Sequence, residues 1–107
     1  FVFPTWYEAF PLVALEAAAS GLPIVASSAN GIDELLANGE AGIVAERTAE
    51  DVGQALARLV DDPDLRRSLG AAARDRSADY TWARSVDAVE AIYRSLTAAR
   101  PAAGSEA

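Results

Sequence analysis

The sequence predicts an α/β fold: about three short strands in a parallel sheet, followed by a run of C-terminal helices. Three observations carry this expectation. Short apolar, β-branched runs alternate with segments of helical period over residues 1–46. Pro, Gly or Asn punctuates these runs, and those residues break regular structure. From Thr48 onward the apolar residues recur at helical spacing alone.

Each element follows from its own residues. Phe1-Val2-Phe3 forms the first strand and ends at Pro4. Pro11 suits the first turn of a helix, where its missing N–H costs nothing. That helix runs through Leu12, Leu15 and Ala19 and stops at Gly21. Leu22-Pro23-Ile24-Val25-Ala26 is a short buried strand, with Ser27 to Gly31 as its exit loop. A short helix from Ile32 to Ala37 ends at Asn38-Gly39, and Gly42-Ile43-Val44-Ala45 is the third strand. Thr48 and Asp51 have the spacing of a capping box, with Asp in place of the usual Glu. Val52, Ala55, Leu56, Leu59 and Val60 then share one helix face. Asp62-Pro63 ends that helix and starts another, which turns Leu65, Leu69, Ala72 and Ala73 inward. Thr81-Trp82 starts a last helix with Val86, Val89, Ile92, Tyr93 and Leu96 on one side and Trp82 as a core anchor. The result is one α/β domain over residues 1–100, without internal repeats, and a tail over 101–107 that is expected to be disordered.

Composition narrows the chemistry. Of the 107 residues, 51% are hydrophobic, enough for a real core, and a domain of this length hides roughly 65% of its unfolded surface. The chain opens on Phe-Val-Phe-Pro rather than Met, and is expected to be a piece of a longer protein whose N-terminal portion is absent. It has no Cys, hence no disulfide and no thiolate nucleophile or metal ligand. It has no His, so the usual general base and the commonest metal ligand are missing as well. No apolar run approaches the roughly 20 residues that cross a bilayer. The net charge is −7, and residues 1–46 hold six carboxylates and no cation; all nine Arg lie from Arg47 onward. Nucleic acid and anionic membrane both demand a basic footprint, so neither is an expected partner. Arg58, Arg66, Arg67, Arg74 and Arg76 read as solvated helix faces.

The candidate site is the turn between the first strand and the first helix. Ligands of parallel α/β sheets bind outside the carboxyl ends of the strands, beside helix N-termini. Pro4 to Phe10 occupies that place. Pro11 has no N–H, so the amides on offer are those of Ala9, Phe10, Leu12 and Val13, and the helix dipole favours an anion there. Glu8 stands just before the helix, and Glu16 about 7 Å along it from Pro11 at the usual helical rise. A ligand with an anionic middle and hydroxyls at both ends, such as a nucleoside diphosphate sugar, fits that layout. Spacing alone leaves open two ordinary surface glutamates, although an unpaired carboxylate buried in the apolar segment from Leu12 to Ala19 would be costly. Trp6 and Tyr7 would stack on a sugar or close the core. Asp33 and Glu34 would cap the short helix in preference to touching a ligand.

The stretch EAFPLVALEAAASGLPIVAS, followed by NGIDELLANGEAGIVAE, resembles the C-terminal domain of retaining glycosyltransferases of family 4, which have the GT-B fold. Their hallmark is a Glu, seven residues and a second Glu. The likeness covers nearly the whole chain, including the Asp62-Pro63 helix start and the closing Tyr80-Thr81-Trp82 segment. It implies a partial Rossmann-like sheet with C-terminal helices, the second half of a GT-B C-terminal domain, so that residues 1–100 would be the incomplete C-terminal portion of the donor-nucleotide-sugar-binding domain. Glu8 would be the catalytic candidate and contact the donor sugar; Ala9, Phe10, Pro11, Leu12 and Val13 would lie against sugar and phosphate; Glu16 would accept from the ribose hydroxyls. Ala9 stands where Gly is common, and Asn30-Gly31 where Gly-Gly is common. The implied activity is a bacterial hexosyltransferase of carbohydrate biosynthesis. It would take a UDP-, GDP- or ADP-sugar donor and a sugar, lipid or small-alcohol acceptor, without metal or cofactor. Its location would be cytoplasmic, or peripheral at the inner membrane face. The cation pair that neutralises the leaving diphosphate would lie upstream of Phe1, because this half offers amides and no nearby cation, so the piece alone would be inactive. The last helix would pack toward the N-terminal domain, so its apolar face would be more exposed in this piece than in the parent. Two rival readings are a non-catalytic α/β ligand-binding module and a sugar-nucleotide epimerase of the same fold.

Overall fold

The computed structural model describes residues 1–99. Strand β1 (Val2–Phe3) leads to helix α1 (Leu12–Ala19), then to β2 (Val25–Ala26), α2 (Ile32–Leu35), a 3-10 turn (Ala37–Gly39) and β3 (Ile43–Val44). Helices α3 (Ala49–Asp61), α4 (Pro63–Ser77) and α5 (Trp82–Ala98) follow. The three strands are parallel, in the order β1-β2-β3, with Val25 opposite both Val2 and Ile43. The α/β class and the parallel sheet are those the sequence predicts. The strands are shorter than expected, and for β2 the reason is local: Pro23 has no N–H to give to a ladder.

Helix boundaries obey their capping chemistry. α1 ends in a Schellman motif: the Leu22 N–H reaches the Ala17 carbonyl, and the Gly21 N–H reaches that of Ala18. Pro11 sits one residue ahead of α1, as its N-cap. Thr48 Oγ1 accepts from the Asp51 N–H at 3.0 Å and donates to the Asp51 carboxylate at 2.7 Å. Asp is a methylene shorter than the Glu of a full capping box, so its carboxylate returns to the hydroxyl. Asp62 Oδ1 accepts from the Leu65 N–H at 2.9 Å, with Pro63 in the first helical turn.

Alternation along β2 divides the core. Ile24 and Ala26 face a cluster built from Ala14, Ala18, Ile32, Leu35 and Ala73, while Val25 faces Ala55, Leu59 and Leu69 of α3 and α4. Small residues on α1 let α4 approach closely; a Cβ on the buried Gly70 would lie only 2.3 Å from the Gly21 carbonyl oxygen.

Several expectations need correcting. Trp82 is no core anchor, being 85% exposed; the exposure of every described residue of α5 around it is what a helix expected to pack on another domain shows in this piece. Val60 also faces solvent. Arg66 is half-buried and donates to the Leu59 and Val60 carbonyls at the end of α3, and Arg76 donates to the Glu34 carbonyl, so these two are tertiary caps rather than solvated charges. Asp33 makes no backbone cap; its carboxylate accepts from Ser28 Oγ at 2.7 Å, and Gly31 holds the N-cap position of α2. The expected tail over 101–107 lies outside the described residues. No helix among the described residues is long and apolar enough to cross a membrane.

Candidate active site

The loop between β1 and α1 is held by all three strand exits. Thr5 follows β1, and its N–H returns to the Phe3 carbonyl. Its hydroxyl lies 3.2 Å from Glu8 Oε1 and 3.1 Å from the Tyr7 carbonyl oxygen, within donating reach of both. From the end of β2, Ser27 Oγ donates to the Thr5 carbonyl at 2.6 Å. From beyond β3, the Arg47 guanidinium reaches the same carbonyl at 3.4 Å and lies 3.9 Å from the centre of the Trp6 ring. Arg47 therefore corrects the expectation of no cation near this loop; it stands far away in sequence and arrives through the parallel sheet. Trp6 and Tyr7 are 81% and 78% exposed, so they do not close the core.

The helix start is fixed from beneath. Pro11 is fully buried. Gly31, at φ +79°, passes so close that a Cβ there would stand 2.7 Å from Pro11 Cδ and 3.3 Å from the Phe10 ring. Phe10 in turn meets Tyr80, with ring centroids 5.8 Å apart. Among the described residues, no backbone or side-chain oxygen accepts from the amides of Ala9, Phe10 or Val13. The Leu12 amide is turned back onto the Phe10 carbonyl at 3.0 Å. The free amides and the positive end of the α1 dipole together suit an anion.

Glu8 and Glu16 flank this start in different settings. Glu8 is half-buried and tied to Thr5. Glu16 is exposed, on the same open face of α1 as Leu12 and Val13, while Ala14, Ala17 and Ala18 face the core. Among the described residues the Glu16 carboxylate has no ion pair, and the Ser20 hydroxyl bonds its backbone carbonyl instead. Exposed apolar neighbours beside an unpaired carboxylate describe a face suited to a ligand or to more protein.

A cavity of about 340 Å³ opens beside the loop at the carboxyl ends of β2 and β3, lined by Ser27, Ser28, Glu46, Arg47, Gln54 and Arg58 among others. Sequence reading missed Thr5, Ser27 and Arg47. Thr5 and Ser27 are ordinary hydroxyl residues beside strand ends, and only the sheet register brings them together. A polar residue directly after a buried apolar strand is the one local signal for Ser27.

The chain as a whole is similar to known proteins. A family model described as "Glycosyl transferases group 1" matches residues 1–76, from β1 almost to the end of α4. The chain belongs to this family of glycosyltransferases. It is 41% identical over 91 residues to D-inositol 3-phosphate glycosyltransferase of Corynebacterium aurimucosum, covering 84% of this chain and 22% of that protein. It is 38% identical over 94 residues to glycogen synthase of Mycobacterium tuberculosis, covering 86% of this chain and 23% of the relative. Among solved structures, sucrose-phosphate synthase from Thermosynechococcus elongatus matches with a TM-score of 0.81 and 35% identity, over 92% of this chain and 25% of that one. The chain thus spans about a quarter of the length of the curated relatives it matches.

Proposed function

We propose that this chain is the donor-binding part of a retaining GT-B glycosyltransferase that transfers a hexose from a UDP-, GDP- or ADP-sugar to a sugar, lipid or small-alcohol acceptor. The observation that carries the reading is α1 itself. It starts on the side of the sheet where β1 ends, with Glu8 in the loop four residues ahead of Leu12 and Glu16, unpaired among the described residues, on its open face, inside the stretch matched by the family model. Amides at the start of α1 receive the diphosphate, and the helix dipole stabilises the charge that grows as the sugar–phosphate bond breaks. Glu8 accepts from hydroxyls of the donor sugar, and Glu16 accepts from the ribose at the other end. The two carboxylates bracket the donor instead of flanking one scissile bond as a glycosidase pair does. No metal is needed at a helix end that already holds phosphate, and further cationic groups for the diphosphate come from the preceding part of the parent protein.

The relatives' length also supplies a role for α5. Trp82, Val86, Val89, Tyr93 and Leu96 recur at alternating spacings of four and three and are all exposed. In the parent this seam lies against the domain that holds the acceptor.

Donor affinity of the full parent protein tests the reading. Replacing Glu16 with Ala removes hydrogen bonds to a charged acceptor, each worth roughly 1.5–3 kcal/mol, so the nucleotide sugar should bind about tenfold or more weakly by calorimetry. Unchanged affinity would refute the ribose contact.

A further inference from the structure

We infer that Thr5 is a positioning residue for Glu8, and that Ser27 and Arg47 hold Thr5 in place for that purpose. This inference rests on the proposed contact between Glu8 and the donor sugar.

Ser27 is 2% exposed and the only buried polar side chain among the described residues. A hydroxyl buried in that way is costly unless it is hydrogen-bonded, and its partner here is the Thr5 carbonyl at 2.6 Å. The Ser27 N–H also reaches the Phe3 carbonyl at 3.3 Å, so the pairing between the two strands continues past Phe3 and Ala26. Ser27 therefore binds the exit of β1 through both its backbone and its side chain. Arg47 approaches the same carbonyl from the exit of β3 while its guanidinium covers Trp6, the next residue of the loop.

Thr5 is thereby anchored through its backbone, which leaves its hydroxyl for the loop ahead. A hydroxyl carries one proton, and the acceptors within reach are the Tyr7 carbonyl oxygen and Glu8 Oε1. Both choices steer the turn that presents Glu8. When Glu8 Oε1 takes the proton, its second oxygen stays free to accept from a substrate hydroxyl. The placement of Glu8 is then set by the rigid sheet and not by a free loop, as a preorganised site requires.

The test uses the full parent protein and follows donor turnover with kcat, donor KM and Tm measured together. Thr5→Val keeps the shape and removes the hydroxyl. It should lower kcat by about tenfold or more, within the roughly hundredfold that a 1 Å misplacement can cost. Donor KM should move little, because Glu16 and the helix amides are untouched, and Thr5→Ser should restore most of the lost rate. Added to Glu8→Ala, Thr5→Val should cause no further loss, since both changes act through one group. Ser27→Ala, with Ser27→Thr as its rescue, provides the same comparison if Thr5→Val folds poorly. Full kcat in Thr5→Val and Ser27→Ala, a loss that tracks Tm alone, or penalties that multiply in the double variant would each overturn the inference. If Glu8→Ala itself turns over normally, the proposed sugar contact fails and takes this inference with it. If Glu8→Ala is impaired while Thr5→Val is not, only the positioning role is lost.

Discussion

Gly31 shows how one residue of this chain fixes the start of α1 through its backbone alone. Its φ of +79° is a conformation that side chains rarely adopt, and an added Cβ would meet Pro11 at 2.7 Å. Gly31→Ala combines backbone strain with a clash against the buried residue that starts α1, so it should destabilise the fold by about 2 kcal/mol. Chemical denaturation of the variant measures this directly, and a loss below the resolution of that measurement would show that Pro11 moves freely. At the same scale, legibility depended on spacing. Glu8 and Glu16 stand out in the sequence because seven residues and a helix start lie between them. Thr5, Ser27 and Arg47 do not, because their association spans 42 residues and exists only through parallel pairing. Trp6 was readable as an aromatic in a loop, but its partner Arg47 was not.

Among the elements, the contact of α1 with α4 decides whether the site is held firmly. Gly70 lies against the Gly21 carbonyl, where both sides of the contact are backbone and neither can turn away. Gly70→Ala would place a Cβ 2.3 Å from that oxygen, so α4 must shift off α1. Overpacking of this kind costs about 3 kcal/mol, and the thermal midpoint of the parent protein should fall accordingly. An unchanged midpoint would mean that the two helices cross less tightly than described. The order of strands and helices was legible from periodicity, and the starts of α3 and α4 from Thr48 and Asp62, whose capping bonds are present. Strand ends were less legible: the pattern shows which residues are apolar, whereas ladder hydrogen bonds decide which are paired. The roles of Arg66 and Arg76 also lay beyond the pattern, since each bonds carbonyls of a different element.

For the whole molecule, the described chain extends 76 × 25 × 18 Å, with α5 contributing 17 residues that all remain exposed. The apolar spacing of α5 correctly marked a helix, and it also suggested burial, which this chain alone does not supply. A contiguous exposed apolar face of this kind marks an interaction surface or an aggregation liability. β1 has a neighbour on only one side among the described residues. Both features agree with a chain that spans about a quarter of the length of its relatives. How α1 meets a donor is visible in a crystal structure of the parent protein with a nucleoside diphosphate. The diphosphate is expected against the amides that begin α1, with the ribose hydroxyls within hydrogen-bonding distance of the Glu16 carboxylate. A nucleotide seated elsewhere, with Glu16 still facing solvent, would contradict that placement.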